Sequence, residues 1–131
     1  MSTDQAVALT RILVIDDDAA VAKMIAHILR TAHDVVIEGS PRAALARLDT
    51  DRLFDLILCD ITMPELSGIQ VYEAIAALDR GLAARVAFMT GGGLSSEEDG
   101  FLSDAGVPRL AKPFRPAELR TRVRELIDGW S

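Results

Sequence analysis

Ile12-Leu13-Val14-Ile15-Asp16-Asp17-Asp18 is an unbroken apolar run that stops at three carboxylates. A strand with no polar alternation is buried on both faces, the condition of a strand inside a parallel sheet. Similar runs follow at Val35–Ile37, Leu56–Cys59 and Val86–Met89, with a shorter one at Arg109–Ala111. Helical patterns lie between them. The first carries Val21, Met24, Ile25, Ile28 and Leu29 on one face, behind Asp18 as N-cap. The second opens on Ser40–Pro41, an N-cap with proline at the first helical position, and turns Ala44, Leu45 and Leu48 inward. A third runs from about Ser67 to Leu78 on Ile69, Tyr72, Ile75 and Ala76. A weak fourth runs from Ser95 or Ser96 to Ala105. The fifth, Pro116–Ile127, points Leu119, Val123 and Leu126 inward.

Alternating strands and helices predict an α/β domain, a doubly wound five-stranded parallel sheet with helices on both faces. The length fits strand order 2-1-3-4-5, the flavodoxin-like arrangement, with right-handed crossovers. The expected limits are an N-terminal extension over 1–10, one domain over 11–128 and a short tail over 129–131. A chain of 131 residues, half of them hydrophobic, suits one domain with a real core. The net charge of −6 argues against a general nucleic-acid binder, since a phosphate backbone needs a basic face. No direct nucleic-acid partner is therefore expected. Cys59 is the one cysteine, so no internal disulfide forms and the cytoplasm is the expected compartment. Met1–Thr10 lacks the apolar core of a signal peptide, and no apolar run approaches the roughly 20 residues that span a bilayer. No membrane insertion is expected.

The polar residues fall at the strand ends. Asp16 and Asp17 follow the first strand, Asp60 ends the third, Thr90 the fourth, and Lys112 follows the fifth. In a parallel sheet all strand C-termini share one edge, and in doubly wound folds that edge binds the ligand. Three clustered carboxylates against one lysine call for a divalent cation, and an all-oxygen donor set with an anionic substrate favours Mg²⁺ over Zn²⁺. A carboxylate can be a nucleophile towards phosphorus, giving an aspartyl phosphate. Such a transfer is catalysed mostly by positioning and charge neutralisation.

These elements resemble the receiver domain of two-component response regulators. The resemblance rests on Ile12-Leu13-Val14-Ile15-Asp16-Asp17-Asp18, Leu58-Cys59-Asp60-Ile61-Thr62-Met63-Pro64-Glu65-Leu66-Ser67-Gly68, Phe88-Met89-Thr90-Gly91 and Lys112-Pro113-Phe114, in that order, and covers about Arg11 to Ile127. It implies that Asp60 is the phosphoacceptor. Asp16, Asp17, Asp60 and the main-chain carbonyl of Thr62 would hold Mg²⁺. Thr90 would be the switch hydroxyl, and Lys112 would contact the phosphoryl group. It also implies a cis Lys112–Pro113 bond. The implied partners are a sensor histidine kinase or a histidine phosphotransfer protein, then a downstream protein target or an attached kinase domain. Glu97, Glu98 and Asp99 make the start of the fourth helix acidic and Arg115, Arg120, Arg122 and Arg124 make the fifth basic, which is either a solvated charged surface or a face, built with the fifth strand, for a target or a phosphorylation-dependent homodimer. The chain ends just after the fifth helix, so output is expected through protein contacts, a neighbouring domain outside this sequence, or phosphate relay.

Two features depart from the family's usual pattern. Arg109 stands where an aromatic residue is common, three positions before the lysine, and Gly91-Gly92-Gly93 follows Thr90. The triplet and the Val107–Lys112 segment look like receivers attached to hybrid histidine kinases. A haloacid-dehalogenase-like phosphatase would want an aspartate two residues after the nucleophile, where this chain has Thr62. A flavodoxin-like flavin binder would want a Ser/Thr/Gly-rich loop where Asp16–Asp18 stand. A degenerate receiver would have lost part of the acidic set. No enzyme is expected beyond loss of the phosphoryl group by hydrolysis, with Thr62 and Gly92 affecting water access. Cys59 reads as a small core residue, and His27 and His33 as structural or exposed. Trp130 is left open between packing on the domain and belonging to a linker.

Overall fold

The computed structural model describes residues 9 to 129. Trp130 and the first eight residues of the expected N-terminal extension lie outside them. The strands are β1 (Thr10–Ile15), β2 (His33–Glu38), β3 (Leu56–Asp60), β4 (Val86–Thr90) and β5 (Arg109–Ala111). The helices are α1 (Ala19–Leu29), α2 (Pro41–Leu48), α3 (Gly68–Leu78), α4 (Arg80–Ala83), α5 (Ser96–Ala105) and α6 (Pro116–Gly129). All strand pairings are parallel and the order is β2-β1-β3-β4-β5, as the apolar runs predicted.

The uninterrupted strands earn their reading by facing two cores. Leu13, Ile15, Ile57, Cys59 and Phe88 point to the side of α2, α3 and α5. Ile12, Val14, Leu56, Leu58, Ala87 and Met89 point to the side of α1 and α6. Adjacent residues of β1 and β3 thus enter opposite cores, which the strand period of two requires. The edge strand β2 is further tied by charge. Arg47 of α2 donates to Glu38 at 2.6 Å, and Arg11 of β1 forks onto Asp51 at 2.8 and 3.1 Å with its guanidinium 4.4 Å from the Phe54 ring centroid. His33 is half-buried, its Nδ1 paired with the Thr10 hydroxyl, and His27 is exposed.

The helix starts follow their caps. The Asp18 carboxylate accepts from the amides of Ala20 and Val21, and the Ser40 hydroxyl from that of Ala43 ahead of Pro41. Ser67 with Gln70 and Ser95 with Glu98 form reciprocal capping boxes, placing Ser67 just before α3 and Ser95 just before α5.

Four expectations change. β1 and β2 are longer than their apolar runs, because Thr10, Arg11, His33, Asp34 and Glu38 complete the ladder through backbone bonds. α4 is an extra single turn capped by Asp79, too short to leave a periodic signal; the expected fourth and fifth helices are therefore α5 and α6. On α1, Met24 is 42% exposed, while Ala22 and Ala26 are buried with Ile25, Ile28 and Leu29. Alanine carries little hydrophobic weight in a sequence, yet its small size lets the helix lie close to the sheet. On α3, Val71 is buried beside Ile75, while Ile69, Tyr72 and Ala76 are only partly covered.

The corrected α1 face gives a direct test. Ile25→Ala should destabilise by about 2–4 kcal/mol, and Met24→Gln by less than about 0.5 kcal/mol, in urea unfolding followed by circular dichroism. A larger loss at Met24 than at Ile25 would reverse the face.

Candidate phosphoryl-transfer site

The strand order sets β3 between β1 and β4, so Asp60 ends the central strand with Asp16 on one side and Thr90 on the other. Asp16 is fully buried, and Asp60 and Thr90 are each 8% exposed. Asp17 is exposed. Carboxylate oxygens of Asp16, Asp17 and Asp60 all lie within 4.8 Å of one another. The third carboxylate of the acidic run, Asp18, is spent on the α1 cap instead.

A buried carboxylate needs donors, and Asp16 has two. Its Oδ1 accepts from the Asp18 amide at 2.9 Å, and its Oδ2 from Lys112 Nζ at 3.0 Å. The same Nζ stands 3.6 Å from Asp60 Oδ2. Lys112 reaches this point because its amide donates to the Thr90 carbonyl at 2.7 Å, fastening the β5 exit to the β4 exit. The Lys112–Pro113 bond is cis. Asp60 Oδ1 accepts from the amide of Thr62 at 3.3 Å, and the Thr62 side chain is exposed. The structure therefore brings together Asp16, Asp17, Asp60 and Lys112 through their side chains, with Thr90 and Thr62 joined to them through the backbone.

Burial raises the Asp60 carboxyl above the ordinary carboxylate range; Lys112 opposes the rise, and Asp16 and Asp17 add to it. Three carboxylates against one ammonium leave the cluster short of positive charge, and hard anionic oxygens this close fit a divalent cation. Cys59 points away into a core. Its Sγ donates to the Asp60 carbonyl at 3.4 Å, and burial pushes its thiol well above the usual range, which suits packing rather than redox work.

One contact escaped sequence reasoning although its residue was in view. At Gly68, where α3 begins, an added Cβ would meet the Asp60 carbonyl and Ile61 Cα at 2.7 Å and the Phe88 ring at 2.8 Å. The Gly68 amide donates to the Ile61 carbonyl at 2.9 Å. α3 thus packs backbone to backbone on the turn that carries Asp60. Only the glycine itself hinted at this; the partner surface comes from distant strands.

Comparison with known proteins places this geometry. A family model described as the response regulator receiver domain matches residues 12–124. The DNA-binding response regulator MtrA of Mycobacterium tuberculosis is 34% identical over 123 residues, covering 87% of this chain and 49% of that protein. The transcriptional regulatory protein PrrA of the same organism is 34% identical over 126 residues, covering 95% and 52%. The chain spans about half the length of these curated relatives. A CheY-like receiver domain structure from Methanospirillum hungatei superposes with a TM-score of 0.84 at 30% identity, covering 94% of this chain and 97% of that one. Chemotaxis protein CheY4 of Vibrio cholerae, at 24% identity and a TM-score of 0.77, shares the fold.

Two substitutions test the site. Gly68→Ala should cost at least about 2 kcal/mol in chemical denaturation, because the backbone atoms it meets cannot yield. Asp60→Asn should stabilise the metal-free protein by about 1–2 kcal/mol at pH 7, since it removes a charge that burial disfavours. A raised native pKa contributes stability that is present at low pH and lost as pH rises through it, so the gain should vanish below about pH 4, where the parent is protonated. Thermal melts in EDTA across that range check the sign.

Proposed function

This chain belongs to the response regulator receiver domain family, a phosphoacceptor module of two-component signalling, and we propose that Asp60 is the residue that takes the phosphoryl group. The observation that carries the proposal is the meeting of Asp16, Asp17, Asp60 and Lys112 at the C-terminal edge of the sheet. A sensor histidine kinase or a histidine phosphotransfer protein supplies the group as phosphohistidine. An Asp60 carboxylate oxygen attacks phosphorus; the new O–P bond forms as the N–P bond breaks, and the imidazole nitrogen leaves with the electron pair.

Mg²⁺, when held by Asp16, Asp17, Asp60 and the Thr62 carbonyl, supplies charge neutralisation for the incoming phosphoryl oxygens. Lys112, bonded to Asp16 in the resting protein, turns to a phosphoryl oxygen as a point charge. The Thr90 hydroxyl donates to another. Phosphorylation shifts a two-state equilibrium, and the change reaches the face built by α5, β5 and α6. That face contacts the downstream protein target or an attached kinase domain, or a second copy of the chain. Loss of the group by hydrolysis resets the switch, with Thr62 and Gly92 beside the path of water. No helix among the described residues is long and apolar enough to cross a membrane, and the proposed setting is the cytoplasm.

Amide NMR tests the assignment. Beryllofluoride, a phosphoryl mimic, with Mg²⁺ should shift resonances at Asp60, Thr62 and Thr90 and along α5 and β5, and Asp60→Asn should abolish the response. Mg²⁺ shifts without a beryllofluoride response would mean a receiver that has lost its switch.

A further inference from the structure

α5 is held lightly. Leu102 is its one fully covered side chain, and Phe101 lies half-buried with its ring 5.8 Å from that of Tyr72 on α3. The joint that leads into it is Gly91–Gly93, where Gly92 and Gly93 adopt φ of +111° and +59° and have open space around them. Glycine leaves such a joint free to take other conformations.

A polar tie crosses from the sheet at Arg109, the position where the family commonly has an aromatic residue. Arg109 lies opposite Phe88 in the β4–β5 register. Its Nη1 donates to Asp99 Oδ1 at 2.5 Å and its Nη2 to Ser103 Oγ at 3.4 Å. Asp99 and Ser103 are one turn apart on a single face of α5, so one planar guanidinium spans the helix surface. The Arg109 and Asp99 side chains are 34% and 61% exposed. An ion pair that wet is weak and salt-screened, which makes it easy to break and remake.

We propose that the fork of Arg109 onto Asp99 and Ser103 is a latch that holds α5 in its resting position and is released by phosphorylation. The inference rests on the phosphoacceptor reading of Asp60. Its two ends are both wired to the site. Thr90 ends β4 immediately before the glycine joint, and Lys112 follows Arg109 by three residues and is bonded to the Thr90 carbonyl at 2.7 Å. A shift of Thr90 and Lys112 towards a phosphoryl group therefore moves the joint and the strand that carries the guanidinium. Arg109 is a positioning residue, acting through α5. It also lines the groove between β5 and α6 with Pro113, Phe114 and Arg122, so release reshapes one wall of the proposed output face.

The test uses Arg109→Gln and the charge swap Arg109→Asp with Asp99→Arg, each compared with the parent by amide NMR with and without Mg²⁺ and beryllofluoride. Without beryllofluoride, α5 resonances of Arg109→Gln should move part-way along the line joining the parent's resting and activated positions, a two- to fivefold change in the equilibrium, as expected of one exposed ion pair. The swap should return them towards the resting positions, and about 1 M salt should move the parent as the glutamine variant moves. Amide hydrogen exchange in α5 should quicken by a similar factor in Arg109→Gln and slow again in the swap, a readout that needs no activation. Off-line shifts, or a swap that restores neither shift nor exchange, overturn the latch. If the parent's Asp60, Thr62 and Thr90 amides ignore beryllofluoride, the phosphoacceptor reading falls and takes the latch with it; if they respond while the α5 shifts of Arg109→Gln lie off the line, the latch alone falls.

Discussion

A carboxylate removed from water has to be answered by donors, and Asp16 is removed from water entirely. Its two donors come from very different places: the Asp18 amide two residues on, and Lys112 Nζ from the far side of the sheet. Asp18 is itself committed to starting α1. Lys112 is itself fastened to the end of β4. Satisfying this one side chain therefore fixes the direction of the first helix and brings together the exits of β1, β4 and β5 around Asp60. Position and charge are settled by the same bonds, which is why a site of so few residues can be assembled from four distant segments.

The fold was legible because its strands are apolar without interruption, a pattern that only a sheet covered on both faces explains. The site was legible for a related reason: β3 and β4 end on polar residues and β1 and β5 are followed by them, and parallel topology converts that into proximity. What stayed hidden was set by shape. The inward face of α1 depends on Ala22 and Ala26, which a reading weighted by large side chains passes over in favour of Met24. α4 is one turn on an Asp79 cap. The closeness of Gly68 to Asp60 and Phe88 is a distance between backbones, written nowhere in a local pattern. Arg109 could be seen to be unusual, but its partners on α5 appear only once the helix is placed.

The two sides of the sheet differ in how firmly they are held. At the β2 edge, Glu38, Arg47, Asp51 and Arg11 run as alternating charges from β2 through α2 to β1, and Arg11 is stacked on Phe54 as well. At the β5 edge the strand has three residues, α5 contributes one buried side chain, and three glycines lead into it. A displacement that begins at Asp60, between these edges, meets less resistance towards β5. Stability unevenly spread in this way is what lets a small domain move one surface while keeping its fold.

Cys59 carries a practical consequence of that unevenness. It is the one cysteine of the chain, it is fully covered, and it lies next to Asp60 in the central strand. A thiol reagent can reach it only when the sheet or the helices that cover it part, so its modification rate is a clock for the opening of that core. The protein thus carries its own stopwatch, set in the strand that ends at Asp60.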